Sequence, residues 1–477
     1  MRGKRKISGS RAGTVLAAVL VMTSVFAGTV ALTDAASAAP ANEVSNVRNT
    51  GGGEHVRTGA GVAAVQEVAA RGNTSPQDIG TPGSASEFTA GSTAVVPEDF
   101  SSSTFLSGVN QPMALTFLPD GRMLLIEKPG TVEITDPDDG TDDTSTYLDI
   151  TGQVDDGSER GLIDITLDPN FEQNGYVYLF YSNDANQKNR IARFTHQENG
   201  GGLQSTADPS SEFLVWEETQ QWDSCCHQGA GLDFGPDGKL WATMGDDFHG
   251  GDVSQDLSRS GGKVIRVNKD GTIPGDNPYV DDGDPDTIGE IWAYGVRNPF
   301  RAEWDLQSGR FFFGDVGGNS APDYEEVNVA TLDSGGANYG WPDCEGTSKS
   351  NEDAPCDVSQ TAPVHSYPHS EGNSITGGEV YRGQQFPDEY QGAYFFGDYA
   401  KDWIKYLTFD SNGDVQSVNT FEDDANNVVH ITTGPDGSLY WASISDGTIH
   451  RVDYTGNQAP QIDSVSATPT SAATAPV

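Results

Sequence analysis

The sequence predicts an all-β protein, a six-bladed β-propeller with disordered N- and C-terminal flanks. Between residues 93 and 455, an apolar strand, a turn and an aromatic-rich strand recur at intervals of about 50 to 85 residues, as in propellers. No segment keeps a 3.6-residue apolar period for more than about two turns, so long helices are not expected. The recurring units are Met113–Thr135, Gly161–Ser182, Gly229–Asp246, Trp292–Val316, Gly377–Phe409 and Val428–Val452.

A Pro-Asp-Gly turn marks three of these units. It occurs within Leu118–Gly121, Gly235–Gly238 and Gly434–Gly437, with a looser copy at Asp168–Asn170. Each copy lies between two short hydrophobic runs, and its residues favour tight turns, so each is expected to join two antiparallel strands. A pair of β-sandwiches is the alternative architecture for so many short strands.

The two ends of the chain are expected to lie outside the propeller. A basic, then apolar stretch ending in the small residues Ala36–Ala38 is typical of a secretory signal peptide over residues 1–38. Residues 39–92, rich in Gly, Ala, Ser and Thr, are expected to form a flexible linker. Residues 456–477 are expected to form a linker or a truncated immunoglobulin-like module, since Asn457–Val465 resembles the first strand of a polycystic-kidney-disease-type module. We therefore expect a secreted or cell-surface protein with one folded domain.

The chain is strongly acidic. Its 70 Asp and Glu residues outnumber its 27 Lys and Arg residues, and its formal net charge is −43. Such a surface repels nucleic acid and anionic membranes, so neither is an expected partner, and no membrane insertion is expected after signal removal. The acidic residues are spread over many loops, which favours a halophilic surface adapted to high salt. Calcium-binding loops are the alternative, although no segment matches the full EF-hand spacing.

The segment Ser224–Gly238 carries the most informative chemical pattern. His227 is followed by small residues, then by an apolar strand and a Pro-Asp-Gly turn. This order places the imidazole on a loop at the end of a strand, where a general base can meet a substrate. A hydrogen-bonded structural histidine is the alternative.

The four cysteines are compatible with disulfides in an exported protein. Cys344 and Cys356 flank a polar loop and are expected to form a disulfide, worth about 3 kcal/mol in the chain-entropy model. Cys225 and Cys226 leave three interpretations open: a vicinal disulfide, two free thiols, or a metal site with His227. We favour the vicinal disulfide, because adjacent cysteines cannot both bind one tetrahedral ion without distortion.

Several motifs occur in an order that is known from one family. They are Gly161–Ile165, Pro169–Phe171, Asn174–Tyr178, Gly262–Asn268, Asp270–Pro274, Asp276–Pro278, Ala293–Pro299, Asn338–Pro342 and Gly377–Gly383. Together they resemble the glucose/sorbosone dehydrogenase family, soluble sugar dehydrogenases that use pyrroloquinoline quinone (PQQ) on a six-bladed propeller. The resemblance covers residues 100–455.

The resemblance implies catalytic roles for three residues. His227 matches the general base that removes a proton from a sugar hydroxyl while hydride passes to the quinone. Arg297 and Asn298 match the pair that contacts the quinone carbonyls. A fixed arginine suits that place because negative charge grows on the quinone oxygens during reduction.

The resemblance also implies where calcium and the flat face of PQQ would bind. The loop Asp315–Asn319 resembles one whose backbone carbonyls hold the cofactor's calcium, with Gly317 and Gly318 in those places. Methanol-dehydrogenase-type quinoproteins stack a vicinal disulfide on PQQ, which makes Cys225 and Cys226 further cofactor-binding candidates.

Two departures from the family pattern concern the carboxylates of PQQ. The family has two arginines just before the last blade's turn, whereas this chain has Asn426–His430 without an arginine. The family's cofactor lysine falls at Ala400, with Lys401 one position away as a substitute. Binding three carboxylates without compensating charge is costly, so weak PQQ affinity is expected.

Three functions follow from these observations. The leading one is a secreted dehydrogenase that uses calcium and PQQ to oxidise an aldose, with an unknown electron acceptor as partner. The second is a non-catalytic propeller that binds carbohydrate or protein, as hedgehog-interacting proteins do. The third is a calcium-dependent lactonase-like hydrolase, which would need carboxylates around its calcium; the sequence shows none clustered near Gly317.

Overall fold

The computed structural model describes residues 96–456, except residues 139, 320–322, 350–354 and 358. Within these residues the chain forms a ring of six four-stranded antiparallel sheets, which confirms the predicted all-β class and the six-bladed propeller. The predicted signal peptide, the linker over residues 39–92 and the segment from Asn457 onward lie outside the described residues. None of the helices in the described part of the chain is long and apolar enough to span a membrane.

Each of the first five blades contains four strands, and their order along the chain runs from the innermost strand to the outermost. Strand β1 (Phe100–Ser107) precedes them and belongs to the last blade. Blade 1 contains β2 (Pro112–Phe117), β3 (Met123–Glu127), β4 (Thr131–Thr135) and β5 (Thr144–Asp149). Blade 2 contains β6 (Leu162–Leu167), β7 (Tyr176–Asn183), β8 (Lys188–Gln197) and β9 (Thr206–Glu217), with the short helix α1 (Phe171–Asn174) and a 3₁₀ turn at Gly202–Gln204. Blade 3 contains β10 (Gly229–Phe234), β11 (Leu240–Met244), β12 (Lys263–Val267) and β13 (Ile291–Tyr294), with α2 (Gly251–Gln255) between β11 and β12.

The second half of the ring repeats this plan with one insertion. Blade 4 contains β14 (Pro299–Asp305), β15 (Arg310–Asp315), β16 (Tyr324–Ala330) and β19 (His365–Pro368). The hairpin of β17 (Cys344–Glu345) and β18 (Ser348–Lys349) lies in the insertion between β16 and β19. Blade 5 contains β20 (Ile375–Val380), β21 (Tyr394–Asp398), β22 (Trp403–Phe409) and β23 (Val415–Glu422), with a 3₁₀ turn at Asp388–Tyr390. Blade 6 contains β24 (Val428–Thr433), β25 (Leu439–Ser443) and β26 (Thr448–Tyr454).

Strand β1 completes blade 6 and closes the ring. It pairs with β26 in antiparallel register, with Phe100 opposite Tyr454 and Ser107 opposite Thr448. Because β1 comes from the start of the domain and β26 from its end, backbone hydrogen bonds join the two ends. This closure gives β26 a hydrogen-bonded partner on both sides and leaves β1 as the outermost strand of blade 6.

The Pro-Asp-Gly motifs form the predicted turns between first and second strands. In each, the glycine amide donates to the carbonyl three residues earlier over 2.9 Å. The aspartate carboxylate accepts the amide two residues later, as at Asp120 and Asp436. The glycines have positive φ, a conformation that costs glycine little. They are Gly121 (95°), Gly238 (68°) and Gly437 (82°).

The sequence assigned one segment to the wrong unit. Trp292, expected to open the fourth unit, lies on β13, the outermost strand of blade 3. The insertion of blade 4 runs along this strand, where Tyr294 forms a parallel bridge with Asn338. The Trp341 amide then donates to the carbonyl of Gly295 over 2.9 Å. Part of blade 4 therefore covers the edge of blade 3.

Arg301 connects four blades across the central channel. It lies on β14, the innermost strand of blade 4, and is 3% exposed. Its guanidinium donates to the carbonyls of Met113, Ile163 and Val429 over 2.6, 2.9 and 2.8 Å. These carbonyls belong to the inner strands of blades 1, 2 and 6. Glycine permits the close packing of neighbouring inner strands, since a Cβ at Gly231 would lie 2.3 Å from the Ala302 nitrogen.

Buried carboxylates give the fold a predictable pH dependence. Burial raises the pKa of Glu218 to about 8 and that of Asp164 to about 6. In the folded protein these two carboxyl groups keep their protons at pH values where the unfolded chain, above about pH 4, has released them. They therefore stabilise the fold at low pH, and this contribution to the free energy of unfolding is lost as pH rises through their folded-state pKa values. Below about pH 6.5, the lowered pKa of the buried His430 acts in the opposite sense, because only the unfolded chain is then protonated there.

We expect the melting temperature to rise as pH falls from 8.5 to 6.5. The isosteric variant Glu218→Gln should melt higher than the wild type at pH 8.5 and nearly equally at pH 6.5, since its amide retains an acceptor for Asn189. Differential scanning calorimetry at the two pH values measures this. A variant less stable than the wild type at pH 8.5 would show that the Glu218 charge contributes net stability.

Candidate active site

The candidate residues lie on connections at one face of the propeller. Because successive strands run antiparallel, the connections between blades share a face with those between second and third strands. His227 lies between β9 and β10, and Arg297 and Asn298 lie between β13 and β14. Gly317 and Gly318 follow β15, the second strand of blade 4. The Pro-Asp-Gly turns lie at the opposite face.

His227 is held by two carboxylates. Its ring is buried, with Nδ1 2.6 Å from Oδ1 of Asp246, which lies two residues after the second strand of blade 3. Its backbone amide donates to Oε2 of Glu159 over 2.5 Å, and its φ is +60°. Because a carboxylate accepts hydrogen bonds, the Asp246 contact places the ring proton on Nδ1 and the lone pair on Nε2. This is the tautomer that a general base needs.

Arg297 lies against the same aspartate. The Asp246 amide donates to the carbonyl of Arg297 over 2.8 Å. The Arg297 guanidinium donates to the carbonyl of Val316 over 3.1 Å and lies 5.4 Å from the Trp341 ring. The indole nitrogen of Trp341 donates to Oδ2 of Asp246 over 3.0 Å. Asp246 therefore joins the two residues, because its carboxylate contacts His227 and its backbone amide bonds to Arg297.

Asn298 and Asp315 connect this group to the glycine loop. The amide of Asn298 donates to Oδ1 of Asp315 over 2.7 Å, and the amide of Arg297 donates to the same carboxylate. The side-chain oxygen of Asn298 accepts the amide of Gly229 over 3.2 Å. Burial raises the pKa of Asp315 to about 7, although the two amides and the Arg297 charge act against the shift.

Carboxylates surround the glycine loop in space. The amide of Gly318 donates to Oε1 of Glu345, and Glu326 accepts the amide of Gly346 over 2.6 Å. Burial raises the pKa of Glu345 to about 7 and that of Glu326 well above its ordinary value. A Cβ at Gly317 would lie 2.0 Å from the Tyr324 carbonyl, so only glycine fits there. The expectation that carboxylates are lacking near Gly317 is therefore wrong, because Glu345 comes from the insertion.

The cysteines are bonded as predicted. Cys225–Cys226 and Cys344–Cys356 are both disulfides. Cys226 directly precedes His227, and Cys225 is exposed, with its carbonyl accepting the amide of Glu159 over 3.4 Å. The vicinal ring therefore borders the site.

The remaining cofactor-binding candidate lies farther along the same face. Lys401 follows β21, the second strand of blade 5, and its side chain is exposed. Its backbone amide donates to Asp398 over 3.0 Å. Asn427, in the segment Asn426–His430 that has no arginine, donates to the carbonyl of Tyr399 over 2.9 Å and so binds protein backbone.

Four residues of this site were not anticipated from the sequence. Asp246 follows a strand of the His227 unit, and that position alone was a usable signal. Trp341 lies in the family motif Asn338–Pro342, but the sequence did not show that its side chain would contact Asp246 and Arg297. No local pattern marks Glu159 or Glu345, because their partners lie in other blades.

The fold and this geometry define a class of protein: propellers whose polar site is built from connections of adjacent blades at one face. The family model described as Glucose / Sorbosone dehydrogenase matches residues 109–451. The chain belongs to this family, and the resemblance seen in its motifs is confirmed.

Individual relatives agree with this assignment. The aldose sugar dehydrogenase YliI of Escherichia coli strain K12 is 25% identical over 340 residues, which cover 70% of this chain and 86% of the relative. Hedgehog-interacting protein of Mus musculus is 28% identical over 321 residues, covering 61% and 42%. The solved PQQ-bound form of an aldose sugar dehydrogenase from Streptomyces coelicolor has a TM-score of 0.59 at 21% identity, covering 75% of this chain and 99% of that one. The last comparison supports the fold.

Proposed function

We propose that the protein is a secreted sugar dehydrogenase that oxidises an aldose at its anomeric carbon with PQQ and calcium. The observation that carries this proposal is the His227–Asp246 pair, which lies at one mouth of the propeller in contact with the backbone of Arg297. The sugar dehydrogenases among the relatives support the substrate class. The predicted signal peptide supports secretion.

His227 acts as the general base in this proposal. Its Nε2 accepts the proton of the anomeric hydroxyl, and Asp246 stabilises the imidazolium that forms. Arg297 supplies a fixed positive charge on the other side of Asp246. When bound, PQQ supplies a two-electron acceptor for the hydride of the anomeric carbon, so that the sugar leaves as a lactone. An external electron acceptor is then needed for the next turnover.

The donor set near Gly317 fits calcium. Calcium prefers oxygen ligands and tolerates irregular geometry. Three buried carboxylates, those of Asp315, Glu326 and Glu345, lie around this loop with Arg297 as their nearby cation. Burial is the main cause of their raised pKa values, and a bound divalent cation would compensate the negative charge that these carboxylates carry when ionised.

The charge available for PQQ is smaller. Among the described residues that match the family's cofactor positions, Arg297 and Lys401 are the cations, and Lys401 is exposed. The tricarboxylate therefore has few partners, and the apolar ring of Cys225 and Cys226 offers a stacking face in partial compensation. We propose that PQQ binds weakly and that calcium binds more tightly.

Calorimetric titration tests this order of affinities. Calcium titrated into the EDTA-treated protein should bind more tightly than PQQ titrated in saturating calcium. Turnover of an aldose panel with an artificial acceptor should then require both. Nanomolar PQQ affinity would show that cations elsewhere on this face bind the carboxylates.

A non-catalytic propeller is the second candidate function. It is favoured by the segment Asn426–His430, which has no arginine although the resemblance implies two there. Absence of both PQQ binding and turnover would support it. Lactone hydrolysis with calcium alone would instead support the third candidate, a calcium-dependent lactonase.

A further inference from the structure

Phe248 presents an exposed aromatic ring directly beside the candidate base. Its ring centroid lies 4.8 Å from that of His227 at an interplanar angle of 70°, and the residue is 47% exposed. Of the phenylalanines in the described part of the chain, Phe213 and Phe248 are the exposed ones. Phe213 lies on β9, the outermost strand of blade 2, with the Arg193 guanidinium 4.5 Å from its ring.

The backbone holds this ring in place at a conformational cost. Asp247 and Phe248 have φ values of +53° and +59°, which bulky residues rarely adopt. The amide of Phe248 donates over 3.0 Å to Oδ1 of Asp246, the oxygen that also contacts His227. The amide of Asp247 donates to the His227 carbonyl over 3.2 Å. One carboxylate oxygen therefore positions both the ring and the imidazole, and strain of this kind concentrates at functional sites.

Two aromatic residues bond to different oxygens of the Asp246 carboxylate, Trp341 through its indole and Phe248 through its backbone amide. Trp341 bonds to Oδ2 and lies beside the Arg297 guanidinium, whereas Phe248 is tied to Oδ1 and lies beside His227. In the proposed function, Arg297 marks the cofactor side and His227 meets the sugar hydroxyl. Phe248 therefore lies on the sugar side.

We propose that Phe248 is the stacking platform for the substrate and sets a preference for pyranose aldoses. The C–H groups on one face of a pyranose are apolar and would cover the exposed ring, while the polar hydroxyls point outward and the anomeric hydroxyl meets Nε2 of His227. An acyclic polyol or short aldose lacks such a continuous face and gains less from the platform. This inference rests on the proposed function for its substrate class.

Steady-state kinetics of Phe248→Ala and Phe248→Tyr with PQQ, calcium and an artificial acceptor tests the platform. Phe248→Ala should raise KM for glucose by about tenfold with a smaller change in kcat, as expected from the loss of one aromatic contact. It should change KM for glyceraldehyde much less, and Phe248→Tyr should restore the glucose value. Phe213→Ala is the matched control and should leave both KM values unchanged.

A binding measurement separates failure of the platform from failure of the proposed function. Saturation-transfer NMR of glucose with the calcium-loaded protein, without PQQ, should show a signal that weakens in Phe248→Ala and persists in Phe248→Tyr and Phe213→Ala. That result supports the platform even if no turnover is found. Equal glucose signals in the wild type and Phe248→Ala overturn it. A loss of PQQ affinity in Phe248→Ala with unchanged glucose binding also overturns it, because the ring would then serve the cofactor.

Discussion

Replacement of His227 by alanine is expected to lower kcat for aldose oxidation by about 10²-fold or more, the usual scale for loss of a general base. The physical reason is that the ring, oriented by Asp246 at 2.6 Å, is the group placed to take the hydroxyl proton. Calcium affinity should change little, because the carboxylate that binds the Gly318 amide beside the proposed calcium site is that of Glu345. Single-turnover reduction of bound PQQ by glucose measures the step directly.

Two variants sharpen this test. Asp246→Asn should also lower kcat and shift the pH profile, because an amide no longer stabilises the imidazolium. His196→Gln is the matched control, since His196 lies at the end of β8 beside Tyr147 and Glu198, at the opposite face. A His227→Ala protein that retains wild-type kcat would remove this residue from the reaction.

Replacement of Arg301 by methionine is expected to destabilise the fold by about 3–5 kcal/mol, the scale for breaking a buried charged network. The substitution leaves the carbonyls of Met113, Ile163 and Val429 without their shared donor. It also removes the positive charge that lowers the pKa of buried Asp164. Urea unfolding followed by tryptophan fluorescence measures the loss.

Arg310 provides the matched control for Arg301. It is only partly buried, lies against Phe312 and Phe409, and donates to the single carbonyl of Gly413. Arg310→Met should therefore cost less than Arg301→Met. Adding Asp164→Asn to Arg301→Met should recover part of the stability, because it removes the uncompensated carboxylate. An unchanged urea midpoint in Arg301→Met would show that the channel tolerates an apolar side chain.

Short-range patterns were enough to predict the architecture. The recurring short strands and the Pro-Asp-Gly turns are local properties, and the turns appear in the structure where the sequence placed them. The error at Trp292 has a physical cause: β13 is the outermost strand of blade 3 but is buried like an inner strand, because the blade 4 insertion covers its edge. The closure of blade 6 by β1 was not foreseen, since strand pairing over such a separation leaves no local signal.

The sequence by itself determined the six-bladed fold, the family motifs and the residue types of the proposed chemistry at His227 and Arg297. Only the tertiary structure decided which groups from distant parts of the chain contact one another. Asp246 orients His227, the blade 4 insertion delivers Trp341 and Glu345, and Arg301 reaches carbonyls up to 188 residues away. Such contacts depend on ring closure, and the raised pKa values of Asp315 and Glu345 depend on burial, which exists only once the blades have packed together.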